Sequence, residues 1–73
     1  MELNEKFGHI VRTLRQNKNW SQEYFAGIAE IDRTYLQSIE KGKRNITIKT
    51  LEKISKALEI KMSDLIKKIE NEL

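Results

Sequence analysis

Apolar side chains recur along this chain at intervals of three and four residues, the spacing that lines them up on one stripe of an α-helix. Leu3, Phe7, Ile10, Val11 and Leu14 do so between Met1 and Lys18 and predict a first helix, with Asn4 as its N-cap. Phe25, Ala26, Ile28 and Ala29 form a second, shorter stripe, whose opposite face carries Gln22, Glu23 and Glu30. A third helix opens at Asp32, whose carboxylate can accept from the otherwise orphaned amide of Thr34 or Tyr35; it buries Leu36 and Ile39 and shows Arg33, Thr34, Gln37 and Ser38. Thr47 caps a fourth, with Leu51, Ile54, Ala57 and Leu58 inward and Lys49, Glu52, Lys53 and Lys56 outward. After a short linker, Glu59 to Met62, a fifth runs from Ser63, its cap, to about Glu70; it carries Leu65, Ile66 and Ile69, with Met62 before it and Leu73 beyond. The expected fold is all-α: one compact five-helix domain over residues 1–73.

The connections sharpen this picture. Asn19 falls where a left-handed C-cap would end the first helix. Trp20 then precedes the N-cap Ser21 and is placed to pack on Phe25 as a hydrophobic staple, a reading preferred here to base stacking. Gly42 fits the C-cap of the third helix, where glycine takes the left-handed conformation freely. The second and third helices are joined by about three residues, with Ala26 small enough for close approach and Ile31 filling the corner. Residues 22–41 therefore read as a helix-turn-helix, the pattern whose second helix enters a DNA major groove.

Ser21, Gln22, Ala26, Ala29, Ile31, Leu36, Ile39, Glu40 and Gly42, with Arg15 upstream and TIKTLEKISKALEI downstream, resemble the lambda-repressor-like, Cro/C1-type (XRE) DNA-binding family across nearly the whole chain. Within that family the run DRTYLQSIEKGKRNITIKTLEKI is most similar to the controller proteins of bacterial restriction-modification systems. The resemblance implies that Arg15 reaches Glu40 as a partly buried ion pair locking the first helix to the third. It also marks departures: Glu30 and Glu59 stand where the family more often has glycine, and Lys61 where it has serine or threonine. A left-handed glutamate at the turn would cost roughly 1–2 kcal/mol.

The implied function is sequence-specific binding of double-stranded DNA, at an inverted-repeat operator, by a homodimer that regulates transcription. Base readout falls to Arg33, Thr34, Gln37 and Ser38, with Tyr35 at the groove edge; Gln22, Lys43, Arg44, Asn45 and Lys49 hold the backbone. Leu65, Ile66 and Ile69 give the fifth helix more apolar surface than one small core needs and are assigned to the dimer interface. A phage- or plasmid-type repressor, or an antitoxin-like interaction module with secondary DNA binding, is the alternative. RNA polymerase is a further contact that a transcription regulator implies.

Composition adds boundaries. A chain of 73 residues is near the size where one core supplies only about 3–5 kcal/mol, and the absence of cysteine removes disulfides and cysteine-rich zinc sites as reinforcement. The net charge of +3 and pI near 9.3 favour a polyanionic partner. No signal or membrane-spanning pattern occurs, so the expected location is cytoplasmic. Without a glycine-rich phosphate loop, and with His9 as the sole histidine, neither an enzyme nor a metal site, cofactor or small-molecule effector is expected.

Overall fold

The computed structural model describes residues 1–71. Among them are five helices: α1 Leu3–Asn17, α2 Gln22–Ala29, α3 Arg33–Glu40, α4 Ile48–Ala57 and α5 Met62–Glu70. Leu73, expected to add apolar surface beyond the fifth helix, lies outside the described residues. Each helix is too short to be stable alone in water, so its stability comes from burying its apolar stripe. The stripes converge on one core, in which Val11, Phe25, Leu36, Ile54 and Leu65 are wholly buried. To form it, α1 packs on α3 and α5, α2 on α3 and α4, and α4 on α5.

Three caps stand where the sequence puts them. The side chains of Ser21, Asp32 and Thr47 accept from the amides of Tyr24, Thr34 and Thr50 at 3.0, 3.0 and 3.1 Å. Two expected caps are displaced. The N-cap of α1 is Glu2 rather than Asn4, because Glu5 reaches back to accept from the Glu2 amide at 2.9 Å in a capping box that starts the helix earlier. Asn4 is thereby released and donates through its Nδ2 to Oδ1 of Asn45 at 2.7 Å. The helix α5 begins after Lys61, not Ser63, without any side-chain cap. Its first turn closes through the Leu65 amide on the Lys61 carbonyl at 3.0 Å, and burial of Leu65 outweighs the roughly 1 kcal/mol that a serine cap contributes.

The helix ends share one device. Residues Asn19, Glu30, Gly42 and Glu59, which follow α1 to α4, have φ of 60°, 59°, 75° and 59°. In each case the next amide bonds back across the turn: Trp20 to Arg15, Ile31 to Ala26, Lys43 to Ser38 and Ile60 to Ser55, at 3.0–3.3 Å. These are Schellman caps. In three of them the following residue, Trp20, Ile31 or Ile60, packs against the core, and that burial offsets the strain of a non-glycine left-handed residue. This is how Glu30 is tolerated where the family's glycine would sit.

Some apolar assignments are corrected. Leu3 and Ile28, read as inward, are 68% and 42% exposed, because one lies beyond the end of the core and the other on the margin of a stripe centred on Phe25 and Ala29. Leu65 and Ile69, read as dimer surface, are 0% and 7% exposed within the single chain. Only Ile66 of that trio, 43% exposed, projects outward. Among the described residues, no helix is long and apolar enough to cross a membrane.

Candidate nucleic-acid interface

The third helix is anchored on one side and open on the other. Leu36 and Ile39 point into the core, so the residues on the opposite side of the helical wheel must face out. Arg33 and Thr34 are exposed in the first turn. Gln37 and Ser38, one turn on, are half-buried and already engaged: Ser38 Oγ donates to the Thr34 carbonyl at 3.2 Å, and Gln37 Nε2 donates to Gln22 Oε1 at 3.3 Å.

Gln22 passes that contact onward. Its Nε2 donates to Glu40 Oε1 at 3.0 Å, so this residue joins the anchor of α3 rather than standing free at the start of α2. The anchor itself is Arg15, whose Nε and Nη2 donate to Glu40 Oε2 and Oε1 at 2.7 and 3.0 Å, while Nη1 donates to the Trp20 carbonyl at 2.7 Å. The two side chains are 10% and 3% exposed, a fork-to-carboxylate pair largely out of water, as the resemblance implied. Among the described residues, no buried side-chain nitrogen or oxygen lacks a partner.

Beside α3 the loop Lys41–Ile46 brings cations to the same edge. Lys41, Lys43, Arg44 and Asn45 are exposed, as is Lys49 in the first turn of α4. The Arg44 guanidinium lies 5.4 Å from the centre of the Tyr35 ring, a cation–π contact that holds it against the flank of α3. Tyr35 is steadied in turn by a 3.4 Å contact between its hydroxyl and Thr50 Oγ1. At the other end of the loop, Asn45 is held by Asn4. Trp20 lies stacked on Phe25 with ring centres 5.9 Å apart, consistent with the staple.

The result is a ridge: Arg33 and Thr34 project, Gln37 and Ser38 sit behind them, and a cationic loop with Lys49 flanks one side. Such a ridge offers hydrogen-bond donors to base edges and positive charge to phosphates. Among the described residues there is no group of three histidine, cysteine or carboxylate side chains able to hold a metal, and His9 is exposed. Behind the cationic loop, and sharing Arg44 and Asn45 with it, a largely apolar groove is lined by Leu3, Phe7, Ile46, Leu51, Ile66 and Ile69.

Two positions that matter here escaped the sequence reading. Asn4 ties down the loop after α3, but its partner lies 41 residues away and no local pattern announces it. Gly8 sits buried in mid-α1 against the backbone of α3. A signal did exist for it, since an interior glycine weakens a helix by about 1 kcal/mol relative to alanine and calls for a packing reason.

Comparison with known proteins gives a consistent picture. A helix-turn-helix family model matches residues 11–65. Control protein C.MunI from a Mycoplasma species is 46% identical over 72 residues, covering 97% of each chain. The restriction-modification controller protein C.AhdI from Aeromonas hydrophila has a crystal structure that superposes with a TM-score of 0.81 at 37% identity, covering 85% of this chain and 94% of that one. The controller protein C.Esp1396I, solved as a tetramer in complex with its natural 35 base-pair operator, superposes with a TM-score of 0.81 at 37% identity over 97% and 99% of the two chains.

Proposed function

The chain belongs to the Cro/C1-type helix-turn-helix family, among the restriction-modification controller proteins, and from that premise we propose how this DNA-binding transcriptional regulator reads its operator. It is a regulator and not an enzyme. The helix α3 lies in the major groove. Arg33 makes a bidentate contact with guanine O6 and N7, Thr34 meets a thymine methyl, Gln37 pairs with adenine N6 and N7, and Ser38 and Tyr35 contact the groove edge. Lys43, Arg44, Asn45 and Lys49 hold phosphates, and Gln22 serves both the backbone and the orientation of Gln37. The observation that carries this reading is the pairing of a free, donor-rich face at Arg33 and Thr34 with a buried anchor at Arg15 and Glu40 on the same short helix.

Two copies bind together. The surface we assign to the self-contact is the groove beside α5, with Ile66 at its rim and Leu3 and Leu51 on its walls, in place of the buried Leu65 and Ile69. Pairing there would set two α3 helices about 34 Å apart, for successive major grooves and an inverted-repeat operator. The cytoplasm is the compartment this requires, and RNA polymerase is the further partner wherever an operator adjoins a promoter. Selection of binding sites from a random duplex pool tests the proposal: it should enrich inverted repeats, and enrichment of isolated asymmetric half-sites, or of nothing, would contradict it.

A further inference from the structure

We propose that Gly8 of α1 is a specificity-determining residue for DNA reading, because it sets the position of the recognition helix α3. An added Cβ at Gly8 would overlap the carbonyl oxygen of Ile39 and would lie 2.9 Å from the oxygen and 3.0 Å from the carbon of the Glu40 carbonyl. These atoms are the backbone of the last two residues of α3, so no flexible side chain can swing aside; the helix end itself must move. Ile39 is 1% exposed and cannot take up the motion within its own packing. The glycine at position 27 provides the contrast, since a Cβ there meets nothing within 4 Å.

The same end of α3 is gripped from a second direction. Arg15 draws in the Glu40 side chain through bonds of 2.7 and 3.0 Å, and Gly8 allows the main chain to follow it down onto α1. An eight-residue helix is only about 12 Å long and moves as a rod. Lifting its C-terminal end therefore displaces Gln37 and Ser38 most and Arg33 and Thr34 least. Gln37 is the more sensitive, because Gln22 links it at 3.3 Å to the Glu40 carboxylate that would be displaced. Readout of base edges tolerates only about half an ångström of misplacement. Phosphate contacts by the long side chains of Lys43 and Arg44 tolerate more.

This inference rests on α3 being the reading helix, and the experiment separates the two claims. Gly8→Ala, Gly27→Ala and the double variant would be titrated, as full chains, against the selected operator and a scrambled duplex, at a temperature where circular dichroism reports each folded. Both alanines raise helix propensity, and Gly27→Ala supplies reserve stability to the double variant. The expectation is that Gly27→Ala discriminates as the unaltered protein does. Gly8→Ala, alone and in the double variant, should lose about tenfold in cognate-over-scrambled preference, at the bases nearest Gln37 and Ser38, with scrambled-duplex affinity unchanged. The inference is overturned if Gly8→Ala keeps full discrimination, weakens both duplexes equally, or fails to fold even with Gly27→Ala. If the unaltered protein itself shows no preference, it is the DNA-reading assignment that fails.

Discussion

The two ends of α3 are built on opposite principles. At its N-terminal end Arg33 and Thr34 are exposed, with the Thr34 amide capped by Asp32. At its C-terminal end Glu40 is buried in the fork of Arg15, shared with Gln22, and its backbone lies against Gly8. A helix that must place side chains in a groove needs one end free to touch the ligand and the other fixed so that the touch has a defined geometry. The difference also separates kinds of failure. Removing a partner from the buried pair at the fixed end should appear as lower stability, whereas shifting that end at Gly8, or truncating a side chain at the free end, should appear as weaker discrimination.

The largest expected effect breaks the fixed end. Arg15→Ala strands the Glu40 carboxylate in a site where it is 3% exposed, which should cost about 3–5 kcal/mol in denaturant unfolding. Removing both partners should cost less than the sum of the two single changes. Unchanged stability in Arg15→Ala would mean that this arginine serves the DNA and not the fold.

A second contrast, within α5, follows the same logic. Ile69→Ala opens a cavity and should destabilise the single chain by about 2–4 kcal/mol. Ile66→Ala, at an exposed position, should change unfolding by less than about 0.5 kcal/mol and instead raise the dimer dissociation constant in sedimentation. Equal effects of the two on unfolding would remove the distinction drawn between core and contact surface.

A smaller effect than that at Ile69 concerns the turn between α2 and α3. Glu30→Gly relieves a left-handed residue with φ of 59° and should raise stability by about 1 kcal/mol in thermal unfolding without altering base preference. A fall in stability would mean that the Ile31 and Ala26 bond, and not the residue at the turn, decides its conformation.

Much of this architecture is written locally and is legible for that reason. Ser21, Asp32 and Thr47 cap because a side-chain oxygen need only reach an amide two or three residues away. The Arg15 to Glu40 pair spans 25 residues and came from the family pattern, not from any periodicity. What could not be read depends on where helices meet. Whether Leu3, Ile28, Leu65 or Ile69 faces inward is decided by the edge of the core, and an apolar stripe does not say where that edge falls. Side-chain contacts across the site, Asn4 with Asn45, Gln37 with Gln22 and Arg44 with Tyr35, arise only once α1, α2 and α3 are assembled.

The central claim is that α3 reads sequence while the loop after it holds the backbone, and paired titrations of Arg33→Ala and Arg44→Ala test it most directly. Both would be measured against operator and scrambled duplexes at several salt concentrations. Arg33→Ala should weaken binding by about 1–3 kcal/mol on the operator alone and flatten the preference at one base pair in each half-site. Arg44→Ala should weaken both duplexes alike and reduce the log–log salt slope by about 1 for each phosphate no longer neutralised, twice that in a dimer, with base preference intact. Equal weakening of both duplexes by Arg33→Ala, or a changed base preference in Arg44→Ala, would contradict the assignment.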